Sequence, residues 1–248
     1  MKMKTIGFVN QKGGVGKSFA SKVVANTLAG SSYKKRVLLV DCDDQETSVD
    51  LRRRDFSERD EFPYPVATCL PADLPAMMSG KKPLQVVTEQ GFAAQKFDEN
   101  DYDFLIVDMP GRGQSNDISG LLACLDYAII VVNGDDSDSL STIKFLKNIT
   151  KTQQLRVNHN LPPLKVALMY NKFELTEIYK ETVMFWEKQK AKHGIYKEVM
   201  FISLKETYRK YNDTYTNMLS SLKSNKILAG LYKEFAAFMG KLVVFLNQ

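Results

Sequence analysis

The sequence predicts an α/β fold: a doubly wound, mostly parallel sheet flanked by helices, with residues 1–248 forming one domain. Three observations predict it. Apolar runs at residues 6–9, 36–40, 104–107, 127–132 and 164–170 have the length and continuity of strands buried on both faces. Segments of helical period separate them. The first three runs end in glycine-rich or acidic turns, and the C-terminal ends of such strands are where open α/β sheets bind ligands.

The first run leads into Asn10-Gln11-Lys12-Gly13-Gly14-Val15-Gly16-Lys17-Ser18, and helical spacing begins at Phe19. A strand that stops in a glycine turn and restarts as a helix aims several backbone N–H groups and the positive helix end at one spot. That arrangement suits a polyphosphate. In Gly16-Lys17-Ser18 the lysine reaches β/γ-phosphates and the serine hydroxyl ligates Mg²⁺. A dinucleotide fingerprint fits poorly, because it needs a small residue where Phe19 stands.

The general phosphate-loop pattern has a glycine where this chain has Gln11, and here a second lysine, Lys12, lies five residues before Lys17. The stretch resembles the deviant Walker A loop of the ParA/MinD family of P-loop ATPases. The resemblance implies ATP and Mg²⁺ as cofactors and Gly13, Gly14, Val15, Gly16, Lys17, Ser18 and Phe19 around the nucleotide. It gives Lys12 and Lys17 catalytic roles, with Lys12 crossing a dimer interface to the partner copy's nucleotide.

Helical spacing of Phe19, Val23, Val24, Thr27 and Leu28 predicts the first helix, closed by Gly30-Ser31-Ser32. The strand at 36–40 then ends in Asp41-Cys42-Asp43-Asp44-Gln45, which resembles the family's Asp-x-Asp-Pro-Gln with Asp44 in the place of proline. The resemblance makes Asp41 the structural or metal-side carboxylate and Asp43 the one that orients the attacking water. Phosphoryl transfer needs positioning and countercharge more than covalent chemistry. A less rigid turn with a third carboxylate predicts slow hydrolysis.

Residues 46–100 read least clearly. They suggest a short helix at 48–54 ending in Arg52-Arg53-Arg54, a break at Phe62-Pro63-Tyr64-Pro65, a strand at 66–70 and a short helix at 71–78. Met77-Met78 reads as packing, with a partner contact as the alternative. Four apolar residues then end in Asp108-Met109-Pro110-Gly111, a Walker B pattern in which Asp108 holds Mg²⁺ through water. The metal-side residues are thus Ser18, Asp41 and Asp108.

Leu121, Leu122 and Leu125 close a helix before the strand at 127–132, and Leu140, Ile143, Leu146 and Ile149 mark the next helix. The strand at 164–170 ends in Asn171-Lys172. Asn171 resembles the family's adenine-side asparagine, and a simple turn residue is the competing reading. A helix over 176–192, a strand over 198–202 and a basic stretch follow. In ParA relatives this last region carries nonspecific DNA contacts, which nominates Lys205, Arg209 and Lys210 as phosphate-contacting residues. Tyr208, Tyr211 and Tyr215 are spaced as one packed helix face. The final helix carries an apolar stripe from Ile227 to Leu246, read as core packing in preference to a MinD-like membrane-targeting helix.

Composition bounds the function. The chain is 44% apolar and 25% charged, ordinary for a soluble protein, and lacks the roughly 18-residue apolar run of a membrane span. The opening Met1-Lys2-Met3-Lys4 leads directly into the first strand, which predicts a cytoplasmic protein. Cys42, Cys69 and Cys124 are odd in number and widely spaced, against a disulfide framework or a metal-cluster carrier, and read as reduced and structural. His159 and His193 lack ligand-spaced neighbours. Net charge is +5, unevenly spread: residues 1–140 carry 16 Lys/Arg against 21 Asp/Glu, and residues 141–248 carry 18 against 8. That asymmetry fits a polyanionic partner, DNA or an anionic membrane, and fits equally a set of solvated helix faces.

The family resemblance, sharpest at residues 10–18, 41–45 and 102–111, implies a ParA-type ATPase. It implies an ATP-dependent homodimer, nonspecific DNA binding, slow hydrolysis stimulated by a ParB-type partner, and partitioning of a plasmid, chromosome or mobile element. Such a protein is nucleoid-associated when ATP-bound. A MinD-like membrane positioning ATPase is the alternative. A bacterial tyrosine kinase of the same fold is less favoured, because the tail after Tyr232 has no tyrosine cluster.

Overall fold

The computed structural model describes residues 2–111, 115–132, 136–171, 177–193, 198–201, 213–224 and 229–248. Its strands are β1 (Lys4–Val9), β2 (Val37–Asp41), β3 (Val66–Thr68), β4 (Leu84–Thr88), β5 (Gly91–Gln95), β6 (Phe104–Asp108), β7 (Tyr127–Val132), β8 (Lys165–Tyr170) and β9 (Glu198–Phe201). The helices are α1 (Lys17–Ala29), α2 (Thr47–Asp55), α3 (Leu74–Met78), α4 (Ser115–Ala123), α5 (Asp136–Asn158), α6 (Glu177–His193), α7 (Met218–Ser224) and α8 (Ala229–Leu246).

All the strands form one sheet in the order β5-β4-β3-β2-β6-β1-β7-β8-β9. Pairing is parallel from β3 across to β9. β4 runs antiparallel to β3, and β5 antiparallel to β4. The doubly wound, mostly parallel expectation holds, and the β4–β5 hairpin is an addition within the stretch that read least clearly. β1 lies between β6 and β7, so the connection from β6 to β7 steps over it and strand order reverses there. Such a reversal opens a crevice at the strands' C-terminal ends.

Side chains alternate across the sheet. Ile6, Phe8, Leu39, Ile106, Ile129 and Val131 pack on one face with α1, α7 and α8. Val9, Leu38, Val40, Leu105, Val107, Ile130 and Val132 pack on the other with α4, α5 and α6. Both layers are buried, as in a sheet covered on both faces.

The apolar stripe of α8 belongs to this core. Leu231, Phe235, Phe238, Met239, Leu242, Phe245 and Leu246 are buried, and the Tyr127 hydroxyl donates to the carbonyl of Leu246 at 2.7 Å. At about 1.5–3 kcal/mol for each buried side chain, undocking the stripe to reach a lipid surface would forfeit on the order of 10 kcal/mol or more. Among the described residues no helix is long and apolar enough to cross a membrane. On the opposite face of the sheet Met77 is likewise buried and Met78 packs against that layer, which makes the pair packing.

Candidate nucleotide site

The loop after β1 is anchored from below by Asn10. Its side-chain amide is buried and donates to the Val131 carbonyl at 2.8 Å and to the Thr142 hydroxyl at 3.0 Å, while its oxygen accepts the Lys12 N–H at 3.2 Å. Val15 is buried, whereas Gly13 and Gly14 are exposed. Gly16 adopts φ 95°, a left-handed conformation that favours glycine, and a Cβ there would lie 2.0 Å from the Asn171 amide nitrogen. The helix α1 starts immediately afterwards, so its first N–H groups face the loop.

Lys17 is buried and donates from Nζ to the Lys12 carbonyl at 3.0 Å, bridging the loop across its own mouth. Burial lowers its pKa, and the nearby Asp108 and Asp43 oppose that shift. Lys12 is half-buried at the rim, Ser18 is half-buried at the first turn of α1, and Phe19 packs against the core with part of its ring exposed.

The two strand-end carboxylates do different work. Asp41 accepts the Asp43 N–H at 3.0 Å on one oxygen and the Ser48 N–H at 2.7 Å on the other, so it holds the turn in shape. Both Asp41 oxygens thus carry a backbone hydrogen bond within its own turn. Asp43 is half-buried, accepts the Gln45 N–H at 3.1 Å, and accepts the Gly111 N–H at 3.1 Å from the turn after β6. Exposed Asp44 hydrogen-bonds to Asp43, which raises the Asp44 pKa.

Asp108 is fully buried. One of its oxygens lies 3.4 Å from the Ser48 hydroxyl, and the other has no hydrogen-bond partner among the described residues. Burial pushes its pKa up to about 7, with Asp41 adding to the rise and the Ser18 hydroxyl, Lys17 and Lys22 opposing it. An unpartnered buried carboxylate oxygen is costly unless something fills its lone pairs. The pairing of this carboxyl with Ser18 fits a hydrated divalent cation. Among the described residues no group of three or more His, Cys, Asp and Glu could hold a metal. This donor set still suits Mg²⁺, which keeps several waters and shares phosphate oxygens instead of demanding an all-protein cage.

Several contributors escape sequence reasoning. Lys22, one turn beyond Ser18 on α1, is 1% exposed and faces Asp108, Asp55, Asp213 and Asp41; burial lowers its pKa to about 8. Arg52 leaves the basic run to become a buried strut, donating to Thr214 at 2.8 Å and to the Tyr64 carbonyl at 2.9 Å, with its guanidinium 4.1 Å from the Phe62 ring centroid. Cys42 and Cys69 read as unrelated residues but face each other across β2 and β3, and the neighbouring Cys42 thiol holds the Cys69 pKa below the usual range. No local pattern announces these contacts, because each depends on tertiary pairing.

Asn171 is buried against the phosphate loop, donating to the Val15 carbonyl at 2.7 Å and leaving its oxygen without a hydrogen-bond partner among the described residues. Lys205, Arg209 and Lys210 lie outside the described residues, as do Tyr208 and Tyr211. Tyr215 is described, and its hydroxyl donates to Glu58 at 2.6 Å.

Residues 3–61, which hold β1, the loop, α1, β2 and α2, match the family described as AAA domain. No curated protein matches the chain. Solved structures of similar fold include a putative plasmid partition protein of Borrelia burgdorferi bound to AMPPNP, 17% identical over 97% of this chain and 99% of that one, with a TM-score of 0.57. A Cyanothece McdA variant in complex with ATP is 16% identical over 97% of this chain and 96% of that one, with a TM-score of 0.61. The Aquifex aeolicus MinC:MinD complex gives 17% identity, 96% coverage of both chains and a TM-score of 0.54. The loop, the strand order and these likenesses together give the chain the fold of the ParA/MinD-type P-loop ATPases.

Proposed function

We propose that this chain is a ParA-type ATPase, which binds Mg²⁺ and ATP at the loop, closes into a homodimer, and hydrolyses the γ-phosphoryl bond slowly. The observation that carries the reading is the convergence of Lys17, Asp43, Asp108 and Gly111 at one end of the central strands. Lys17 lies among the carboxylates, Asp43 is held by the Gly111 N–H, and the Asp108 carboxyl pairs with Ser18 while keeping one oxygen unpartnered among the described residues.

In this mechanism the glycine loop and the α1 N-terminus bind the phosphates through backbone N–H groups. Lys17 exchanges its bond to the Lys12 carbonyl for phosphate oxygens. Asp43 orients the attacking water, and its own orientation comes from the Gly111 N–H. Bound Mg²⁺ would supply countercharge to the phosphates, held through Ser18 and Asp108. Asn171 fixes the loop from behind through the Val15 carbonyl, and its buried oxygen, without a hydrogen-bond partner among the described residues, is the proposed acceptor on the adenine side. Lys12, at the loop rim, would complete the site of a partner copy, so that hydrolysis follows dimer closure.

Two of the solved structures of similar fold were obtained with ATP or AMPPNP, and one of those proteins is described as a partition protein. The basic C-terminal half favours DNA as the surface bound by the ATP state, with Lys205, Arg209 and Lys210 as phosphate contacts. Burial of the α8 stripe speaks against the MinD-like membrane reading. The protein would then be cytoplasmic, nucleoid-associated with ATP, and released when a partner protein stimulates hydrolysis.

Cosedimentation with DNA and, separately, with anionic liposomes tests the reading. DNA pelleting that requires ATP and falls steeply with salt is expected. Pelleting with liposomes but not DNA would replace it with the membrane alternative.

A further inference from the structure

Cys42 stands between Asp41 and Asp43, at the start of the turn that carries the water-orienting carboxylate. Its neighbour across the sheet is Cys69. β2 and β3 pair in parallel with Asp41 opposite Thr68, so Cys42 and Cys69 are the next residues in register, and the Cys69 N–H donates to the Asp41 carbonyl at 3.1 Å. Neighbouring strands are about 4.8 Å apart, within the Cα separation of about 4.4–6.8 Å that disulfides span. Both side chains point to the same core layer, where the two thiols are near enough to shift each other's pKa, and the Cys69 thiol donates to the Leu70 carbonyl at 3.3 Å. Cys42 is buried and Cys69 half-exposed, and all three cysteines are free. An accessible thiol poised against a buried second one is the arrangement of a sensor with its resolving partner.

We propose that Cys42 and Cys69 form a reversible, peroxide-driven disulfide that shuts off turnover at the nucleotide site. The accessible Cys69 sulfur, as thiolate, attacks a peroxide oxygen; the O–O bond breaks, giving the sulfenic acid and hydroxide. The Cys42 sulfur then attacks the Cys69 sulfur and expels its hydroxyl group, which leaves as water with a proton from the Cys42 thiol. Two thiols and one hydrogen peroxide become one disulfide and two waters. Reduction by a dithiol reverses it.

The effect on turnover rests on the ATPase reading above. Closing two sulfurs from non-bonded contact to an S–S bond of about 2.05 Å moves them more than ~1 Å closer. That shift is taken up by the segment holding Asp41, Asp43 and the Cys42 N–H bond to the Asp108 carbonyl at 2.9 Å. Misplacing a water-orienting group by about 1 Å costs on the order of a hundredfold in rate. The phosphate loop itself is not tethered, so ATP binding persists in the oxidised form.

The test treats the native full-length protein with hydrogen peroxide and reads peptide maps, intact mass, ATP binding and ATP turnover. Expected are a Cys42–Cys69 cross-link, a mass loss of about 2 Da for two hydrogens, retained ATP binding, and a loss of turnover that dithiothreitol restores. Cys69→Ser should keep its turnover under peroxide, and Cys124→Ser should respond as the wild type does. The proposal is overturned if the cross-link is missing from oxidised protein, or if Cys69→Ser is inactivated equally. A reduced protein without turnover would sink the ATPase reading alone, since the cross-link is mapped without reference to activity.

Discussion

The Asp43 carboxylate accepts the Gly111 backbone N–H at 3.1 Å, and so joins the turn after β2 to the turn after β6. Asp43 also accepts the Gln45 N–H within its own turn. The side chain that would orient water is therefore fixed from both strands, and its loss should be felt in turnover far more than in folding. Asp43→Ala is expected to lower ATP turnover by about a hundredfold or more, as removal of a positioning group does, while ATP-dependent dimer formation persists. Single-turnover hydrolysis and sedimentation velocity check the two halves, and an unchanged hydrolysis rate would remove Asp43 from the reaction.

Gly111 serves the site in a second way. A Cβ at this position would lie 2.9 Å from the Gly13 Cα and 3.2 Å from the Gly13 nitrogen, both backbone atoms of the phosphate loop. The loop backbone must then shift, and overpacking of this kind costs about 1–3 kcal/mol. Gly111→Ala should weaken ATP binding by about tenfold or more, since 1.4 kcal/mol corresponds to a factor of ten. An equilibrium titration with wild-type affinity would show that the two turns need no such close approach.

The site was legible in the sequence wherever chemistry and chain order coincide. The glycine loop, Asp41-x-Asp43 and the strand ending in Asp108 each follow an apolar run, and each takes its predicted place at a strand tip. What stayed hidden depends on pairing between distant segments. The β4–β5 hairpin is short, lies outside the repeating strand–helix pattern, and ends in an edge strand that buries little. Lys22 sits in a helix whose other residues read as an ordinary buried face, and only the arrival of four carboxylates around it explains a lysine there. Arg52 reads in the sequence only as the first of three arginines ending a short helix, and its hydrogen-bond partner Thr214 lies over 160 positions away. Cys42 and Cys69 meet through strand register, which no spacing rule reveals.

Burial of Asp108 carries a stability cost with a definite sign. Its folded pKa, about 7, lies above an unfolded value of about 3.9, so the folded state binds more protons between those limits. Stability from this group is fully present below pH about 4 and is lost as pH rises towards 7. Asp108→Asn removes the cost. The nucleotide-free variant should gain on the order of 2 kcal/mol over wild type at pH 8 and little at pH 4, while losing Mg²⁺-dependent ATP binding. Denaturant melts at the two pH values check the first part. A variant less stable than wild type at pH 8 would mean that the buried oxygen is satisfied in some other way.

Binding of ATP at the loop is the claim on which the rest depends, and Lys17 is its most exposed point, since its ammonium now spends its hydrogen bond on the Lys12 carbonyl. The direct measurement is calorimetric titration of ATP with Mg²⁺ into wild type and Lys17→Ala. One ATP per chain is expected for the wild type and no measurable binding for the variant. Wild-type affinity in Lys17→Ala would contradict that claim.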